Sequence, residues 1–190
     1  MYQSVLTFWF EELEPAQWWQ KNQRLDRDIK ARFGDLHRQV CLGELFEWRA
    51  CAKGRLAEII VLDQFSRNIY RDTPRAFAAD GMALALAQEA ISAGAEQTLT
   101  PQQRVFLYMP MMHSESLKIH ELALALFEQN AEPEAGYEHE QSGAASSLHY
   151  ERLHKDIIAR FGRYPHRNAI LGRESSAEEV AFLQQPGSSF

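Results

Sequence analysis

The chain has 190 residues, of which 45% are hydrophobic and 11% aromatic, which is enough for one globular domain with a substantial core. Its formal net charge of −6 argues against general nucleic-acid or anionic-membrane binding, which depends on a broad positive surface. Two cysteines do not indicate a disulfide framework, no apolar run is long enough for a membrane helix, and the N-terminus lacks a secretory signal pattern. We therefore expect a cytoplasmic protein.

Helix signals recur along the whole chain, whereas alternating strand patterns with tight-turn sequences do not occur. The sequence predicts an all-α fold of about eight helices in antiparallel pairs, arranged as a compact bundle or an α-solenoid. We expect one domain over residues 1–190. The acidic segment 131–144, which is low in aliphatic residues, is expected to be a surface linker.

The first predicted helix is short and apolar, and the second starts near Leu25 with one apolar face. The later ones follow from capping and stop signals. The next two are Gly54–Asp72, which ends before Thr73-Pro74, and Phe77–Ala93, which ends before Gly94. Another starts at Thr100-Pro101 and is closed or kinked at Pro110, and the one after it is capped by Ser114 and reaches Phe127. The last two run from about Ala145 to Phe161, before Gly162, and from a cap at Ser175 or Ser176.

A polar stripe runs along the helix predicted before Thr73. Asp63, Arg67 and Arg71 are spaced by four residues and share a face, and Gln64 and Asn68 lie on the adjacent row. The stripe could be an ordinary solvated face with intrahelical ion pairs. However, no Glu or Lys, the usual surface residues of helices, occurs between positions 59 and 88. The composition therefore favours a stripe that faces a ligand cleft.

A second group of polar residues follows the stop signal at position 162. The chain has fifteen Arg and five Lys, a ratio that suggests fixed arginine pairs with carboxylates or phosphates. Arg163, Arg167, Asn168 and Arg173 fall in or beside a proline-containing loop that precedes a capped helix, and helix N-termini favour anions. His154 borders the apolar stripe of the preceding helix. It is either a buried structural histidine or part of the same site. We expect this corner to face an anion.

His113 and Glu115 follow Pro110 at the end of a predicted helix. A histidine held by a glutamate can act as a general acid or base near neutral pH. A structural interhelical hydrogen bond is the alternative. A metal site would need further ligands, and no metal-binding spacing unites the histidines, so we predict neither a metal nor a cofactor. Sequence patterns for a catalytic nucleophile, a phosphate-binding loop or a dinucleotide site do not occur either.

Four strings, in the order FWF, LDQFSRNIYRDTPRAFAAD, FLYMPMMHSESL and RFGRYPHRNAILGR, resemble the bacterial domain-of-unknown-function family 924. The resemblance spans almost the whole chain. It implies an all-α fold of the tetratricopeptide-like superfamily and no established reaction or substrate. The chain departs from the expected pattern at His120, where a glutamine is expected, so His120 is left out of the candidate site residues.

Two functional hypotheses follow. In the first, the chain is an enzyme or binding protein whose interhelical cleft holds a small carboxylate or phosphate, with Asp63 orienting an arginine and Glu115 orienting His113. In the second, the chain is a helical scaffold for a protein partner, a role suggested by the superfamily alone. A homodimer stays open under both hypotheses, and neither includes nucleic-acid or membrane binding.

Overall fold

The computed structural model describes residues 1–188, without the side chains at positions 138, 141 and 142. It is all-α, as predicted, with no β-strand in the part of the chain that it describes. None of the helices in residues 1–188 combines the length and the apolar character needed to cross a membrane. The α-helical segments are α1 (Tyr2–Thr7), α2 (Gln23–Cys41), α3 (Ala52–Ile60), α4 (Ser66–Ile69), α5 (Asp80–Ser92), α6 (Pro101–Met112), α7 (Leu117–Asn130), α8 (Gln141–Phe161), α9 (Asn168–Leu171) and α10 (Ala177–Leu183).

Local capping chemistry explains where several helices begin and end. Thr100 and Gln103 form a reciprocal capping box at the start of α6, and Ser176 and Glu179 do the same at the start of α10. Glycines end α5 and α8 because both positions need a left-handed backbone, with φ of 71° at Gly94 and 67° at Gly162. These helix ends agree with the capping and stop signals in the sequence.

The main core is built around a cluster of aromatic side chains. The rings of Phe8 and Phe33 lie 5.0 Å apart, and the ring of Phe106 lies 5.5 Å from that of Trp9. Phe65 contacts Phe8, Phe33 and Trp9 from the middle of the α3–α4 region. Aromatic contacts of this kind add to the free energy gained from apolar burial. The core thus fixes α2, α6, the α3–α4 region and the chain directly after α1 relative to one another.

The helix predicted over 54–72 differs from the observed one in a way that matters for the site. It begins at Ala52, is interrupted by a π-helical turn over Val61–Phe65 and ends at Ile69. A π turn carries one more residue per turn than an α-helix, which the regular four-residue spacing of the sequence does not reveal. The residues before and after the turn therefore do not form one straight stripe.

Smaller differences concern helix boundaries. α5 starts at Asp80 rather than at Phe77, and α7 follows Ser116 rather than Ser114. α8 already starts at Gln141, inside the segment expected to be a linker. α6 continues through Pro110 to Met112, so this proline does not close the helix where the sequence suggested.

Candidate functional site

A cleft of about 370 Å³ lies where the start of α5, the end of α6 and the chain around α9 meet. We call it the α5–α6 cleft. Its polar lining residues are Asp80, His113, Ser114, Glu115 and Arg167. Its other lining residues are Pro74, Phe77, Ala78, Gly81, Leu84, Pro110 and Leu171. The volume is at the lower end of the range for small-molecule sites, about 300–1,000 Å³, and the mixture of apolar walls with a few polar groups is typical of them.

His113 and Asp63 form a hydrogen-bonded pair at the wall of the α5–α6 cleft. Nδ1 of His113 lies 2.7 Å from Oδ1 of Asp63, and Nε2 of Gln64 donates to Oδ2 of the same carboxylate over 2.5 Å. Asp63 and Gln64 both come from the π turn and are buried. Among the described residues, Nε2 of His113 has no hydrogen-bond partner. The pair thus fixes one ring nitrogen and leaves the other available at the cleft.

The environment sets the protonation state of this pair. Burial lowers the pKa of His113, and the Arg67 guanidinium lowers it further, while Asp63 opposes both effects. Burial alone would raise the pKa of Asp63, but Arg67 and His113 outweigh it and hold that pKa well below its usual range. At neutral pH, Asp63 is therefore a carboxylate and His113 a neutral imidazole. Nδ1 donates to Asp63, and the Nε2 lone pair can accept a proton.

Arg67 connects Asp63 to the opposite side of the cleft. Its Nη1 donates to the Asp63 carbonyl oxygen over 2.8 Å and lies 3.0 Å from Oδ1 of the same residue. The two Nη atoms of Arg67 also bind the two carboxylate oxygens of Asp80, at 3.0 Å each. Bidentate pairs of this type are strong and geometrically specific. Arg67 therefore orients two carboxylates, one behind the cleft and one in its lining.

Arg167 is the cation that lines the α5–α6 cleft. It is only 6% exposed, yet its contact with a carboxylate is a long one, 3.5 Å from Nη1 to Oδ2 of Asp80. That carboxylate already accepts two hydrogen bonds from Arg67. Nε of Arg167 is buried without a hydrogen-bond partner in the part of the chain that the structure describes. A buried guanidinium with so few acceptors is costly, which makes it a natural partner for an anion.

Aromatic rings hold Arg167 in place. Its guanidinium carbon lies 4.4 Å from the centre of the Tyr164 ring and 4.8 Å from that of Phe77. Cation–π contacts orient a guanidinium without neutralising its charge. Burial, together with Arg67, lowers the pKa of Arg167 from the usual arginine value, which still leaves it charged at neutral pH.

Glu115 does not orient His113, and this part of the sequence-based hypothesis is wrong. Its carboxylate oxygens accept from both Nη atoms of Arg173, at 2.6 and 2.9 Å, and from the backbone N–H of Tyr164 at 2.8 Å. Arg173 also donates to the Tyr164 carbonyl oxygen over 3.2 Å. Glu115 and Arg173 therefore clamp the loop that carries Arg167 against the end of α6. Asp63 takes the role that the sequence assigned to Glu115.

Comparison with known proteins identifies the family to which the chain belongs. The Agrobacterium tumefaciens protein ATU0120, a protein of unknown function, has a solved structure that matches with a TM-score of 0.84, 34% sequence identity and 96% coverage of both chains. The model of the family described as bacterial protein of unknown function (DUF924) matches residues 5–187. The chain belongs to this family. A search of curated proteins finds no significant match.

The revised pairing in this DUF924 protein gives a direct test by NMR titration of the histidines. Asp63→Asn should shift the titration of His113 to lower pH, because the variant loses the carboxylate that favours the imidazolium. Glu115→Gln should shift it much less, because Glu115 pairs with Arg173. A larger shift in Glu115→Gln than in Asp63→Asn would show that the Asp63 pairing is not the one that governs His113.

The two arginines of the predicted polar stripe bind different carboxylates. Arg67 turns to Asp63 and Asp80, whereas Arg71 binds the Asp26 carboxylate through Nε and Nη2, at 2.6 and 2.7 Å. Asn68 donates to the same Asp26 over 2.8 Å. Arg71 and Asn68 therefore join the α4 end to α2 and do not line the α5–α6 cleft.

Three other predicted residues also lie outside the cleft lining. Arg163 binds Glu179 through Nε and Nη2, at 2.7 and 2.8 Å. Asn168 is fully buried and donates to Oγ of Ser175 over 3.0 Å. Nδ1 of His154 lies 2.8 Å from the carbonyl oxygen of Tyr150, and burial lowers the pKa of this histidine to about 3. Their contacts are with the protein itself.

Sequence reasoning missed Asp80 and the group around Tyr164. Asp80 lies thirteen positions after Arg67, so no helical spacing connects them. His120 is fully buried, with Nδ1 at 2.7 Å from Oε1 of Glu151 and Nε2 at 3.1 Å from the Tyr164 hydroxyl. The departure from the family pattern at His120 was the one available signal. Among the side chains that the structure describes, no three from His, Cys, Asp or Glu are grouped as a metal site requires.

Proposed function

We propose that this protein binds a small anionic molecule in the α5–α6 cleft and performs acid–base chemistry on it with His113. The observation that carries the proposal is the state of Arg167: a buried guanidinium that shares one carboxylate with Arg67 and lines the same cleft as His113. Arg167 supplies the anion contact. Asp63 orients His113, whose Nε2 faces the ligand space. The location that the sequence predicts for this activity is the cytoplasm.

The chemistry available to such a site is proton transfer. Asp63 and His113 provide an oriented imidazole, a group whose catalytic contribution is typically about 10²–10⁴-fold. Arg167 can hold a carboxylate or phosphate and stabilise negative charge that develops on a bound substrate. The apolar walls, which include Phe77, Leu84 and Leu171, fit a ligand with a small apolar body. The lining therefore favours a compact organic anion.

A thermal-shift screen tests the binding step. Small carboxylates and phosphate monoesters are added at fixed ionic strength to the wild type, to Arg167→Gln and to Arg163→Gln. A ligand at a hundredfold its Kd stabilises the native state by about 2.7 kcal/mol, which raises the Tm of a domain of this size by about 5–10 °C. Arg167→Gln should lose most of this shift, because the anion contact is gone.

Arg163→Gln is the matched control, since Arg163 binds Glu179 away from the cleft. It should keep the ligand-induced shift. Equal shifts in all three proteins would indicate general salt stabilisation and not a site at Arg167. If no compound stabilises the wild type, the small-ligand function is rejected and the helical-scaffold hypothesis takes its place.

A further inference from the structure

The charges around the α5–α6 cleft are balanced before any ligand binds. Arg67 and Arg167 face Asp63 and Asp80, and Arg173 faces Glu115. His113 is neutral because burial and Arg67 depress its pKa. The charged and titratable groups near His113 from the elements around it are Asp63, Arg67, Asp80, Glu115, His154, Tyr164, His166 and Arg167.

The other titratable groups nearby are not placed to take up a proton at neutral pH and so compensate an added negative charge. Burial lowers the pKa of His154 to about 3 and that of His166 to about 4. Burial raises the pKa of Tyr164 well above its usual range, so that its hydroxyl stays neutral. Both carboxylates in the lining are already bound by arginines. His113 is therefore the group that is best placed to change its charge.

An anion that enters this cleft adds one negative charge to a partly buried, balanced set. An uncompensated charge in such surroundings is strongly disfavoured. We propose that a monoanion binds in the α5–α6 cleft together with one proton, which His113 takes up at Nε2. The proposal rests on the proposed function, since it concerns the same cleft. Proton uptake by His113 cancels the charge of the bound monoanion. His113 then faces the ligand as an imidazolium, which can donate a proton.

The coupling is reciprocal by thermodynamic linkage. An anion that favours protonated His113 must itself bind more tightly when His113 is protonated, by the same factor. An opposite charge within about 4–6 Å of a titrating group shifts its pKa by about one unit or more. The affinity for a monoanion should therefore rise as the pH falls from 8 to 5, towards about tenfold once the pH is below the pKa of His113 in the ligand-free protein.

Methanesulfonate is a suitable probe because it stays a monoanion over the whole pH range of the experiment. NMR titration at fixed ionic strength gives its Kd at pH 8 and pH 5 from the Arg167 and Asp80 signals. Titration of the histidines with and without the probe follows His113. The expected results are a Kd that is lower at pH 5 than at pH 8, by up to about tenfold, and an upward shift in the titration of His113 when the probe is bound.

Three variants separate this coupling from simple binding. His113→Gln should bind methanesulfonate with little pH dependence, because the proton acceptor is gone. Asp80→Asn leaves one guanidinium uncompensated, so it should bind the probe without proton uptake, and more tightly than the wild type at pH 8. Asp72→Asn, an exposed residue paired with Lys21, should behave like the wild type.

The outcomes distinguish the two proposals. If no cleft signal responds to methanesulfonate, both the anion-binding function and the coupling are wrong. If the probe binds with the same Kd at pH 8 and pH 5 and the titration of His113 does not move, the site stands and the coupling is wrong. Full pH dependence in Asp80→Asn would show that charge balance is not its cause.

Discussion

Asp63→Asn is expected to lower the free energy of unfolding by about 3 kcal/mol at pH 7.5, because it breaks a buried ionic network and leaves Arg67 without one of its two carboxylates. Asp63 is 1% exposed and lies within hydrogen-bonding distance of His113, Gln64 and Arg67. The NH2 group of the new amide, if it takes the place of Oδ2, faces the Nε2 donor of Gln64, so that two donors meet and the hydrogen bond is lost. Urea unfolding of both proteins measures the difference.

The difference should widen as the pH falls from 7.5 to 5. The pKa of His113 is lowered in the folded protein, so below about pH 6.5 the unfolded chain binds a proton that the folded chain excludes. Stability therefore falls on acidification until the pH passes the folded pKa. Asp63→Asn lowers that folded pKa further, because the carboxylate that favoured protonation is removed. The variant thus keeps losing stability over a wider pH range than the wild type.

Asp72→Asn provides the control for removing an acidic charge. Asp72 and Lys21 form an exposed pair, and exposed pairs contribute little to stability. Asp72 has a φ of 61°, a conformation that asparagine also accepts readily. The control should therefore unfold like the wild type. An Asp63→Asn variant that is equally stable would mean that the buried network does not contribute to the fold.

Most helices of this fold could be predicted because their signals are local. The capping box at Thr100 and Gln103, and the left-handed glycines at 94 and 162, act over a few residues and need no tertiary context. The π turn over Val61–Phe65 could not be predicted in the same way. Its sequence contains neither a glycine nor a proline, nor any capping signal that would mark a change of helix type.

The candidate site was only partly predictable because its pairs join residues that are distant in sequence. Arg67 was identified from the stripe, but its partner Asp80 comes from the next long helix. The sequence indicates His113 as an acid–base candidate, but its spacing suggests the neighbouring Glu115 as the partner, whereas the structure pairs His113 with Asp63. Proximity in sequence is a poor guide to this pairing, since Glu115 binds Arg173 in the chain that follows α9. The arginine-rich composition predicted fixed pairs without specifying them.

A second buried pair lies behind the site and has a different chemistry. His120 and Glu151 are both fully buried, and Nδ1 of the histidine is 2.7 Å from Oε1 of the glutamate. Nε2 of His120 is 2.9 Å from the Ser114 carbonyl oxygen, so it carries a proton and donates. One further proton is shared between Nδ1 and Oε1, and in either position the pair has no net charge.

His120→Leu is expected to lower the free energy of unfolding by about 3–5 kcal/mol at pH 7.5, because the Glu151 carboxyl group loses its partner while it stays buried. Oε2 of Glu151 already lacks a hydrogen-bond partner among the described residues, so no other contact replaces the lost one. The Ser114 carbonyl oxygen also loses its hydrogen bond from Nε2. The loss should be smaller at pH 5 than at pH 7.5.

The direction of this pH dependence follows from Glu151. Burial raises the pKa of Glu151, and His120 counteracts part of that rise. Removing His120 raises the folded pKa further, so the folded variant holds a proton that the unfolded chain releases above about pH 4.3. Stability of the variant therefore falls as the pH rises, until the pH exceeds the folded pKa. Urea unfolding at pH 5 and pH 7.5 gives both values.

The double variant His120→Leu/Glu151→Met identifies the cause. Replacing both partners of a buried pair with apolar side chains of similar size is often close to neutral, whereas removing one partner is not. The double variant should therefore recover at least half of the stability lost at pH 7.5, and its stability should lose the pH dependence of the single variant. If the double variant is as unstable as His120→Leu and has the same pH dependence, the unpaired Glu151 carboxyl group is not the cause of the lost stability. The loss would then come from packing and from the missing Ser114 hydrogen bond.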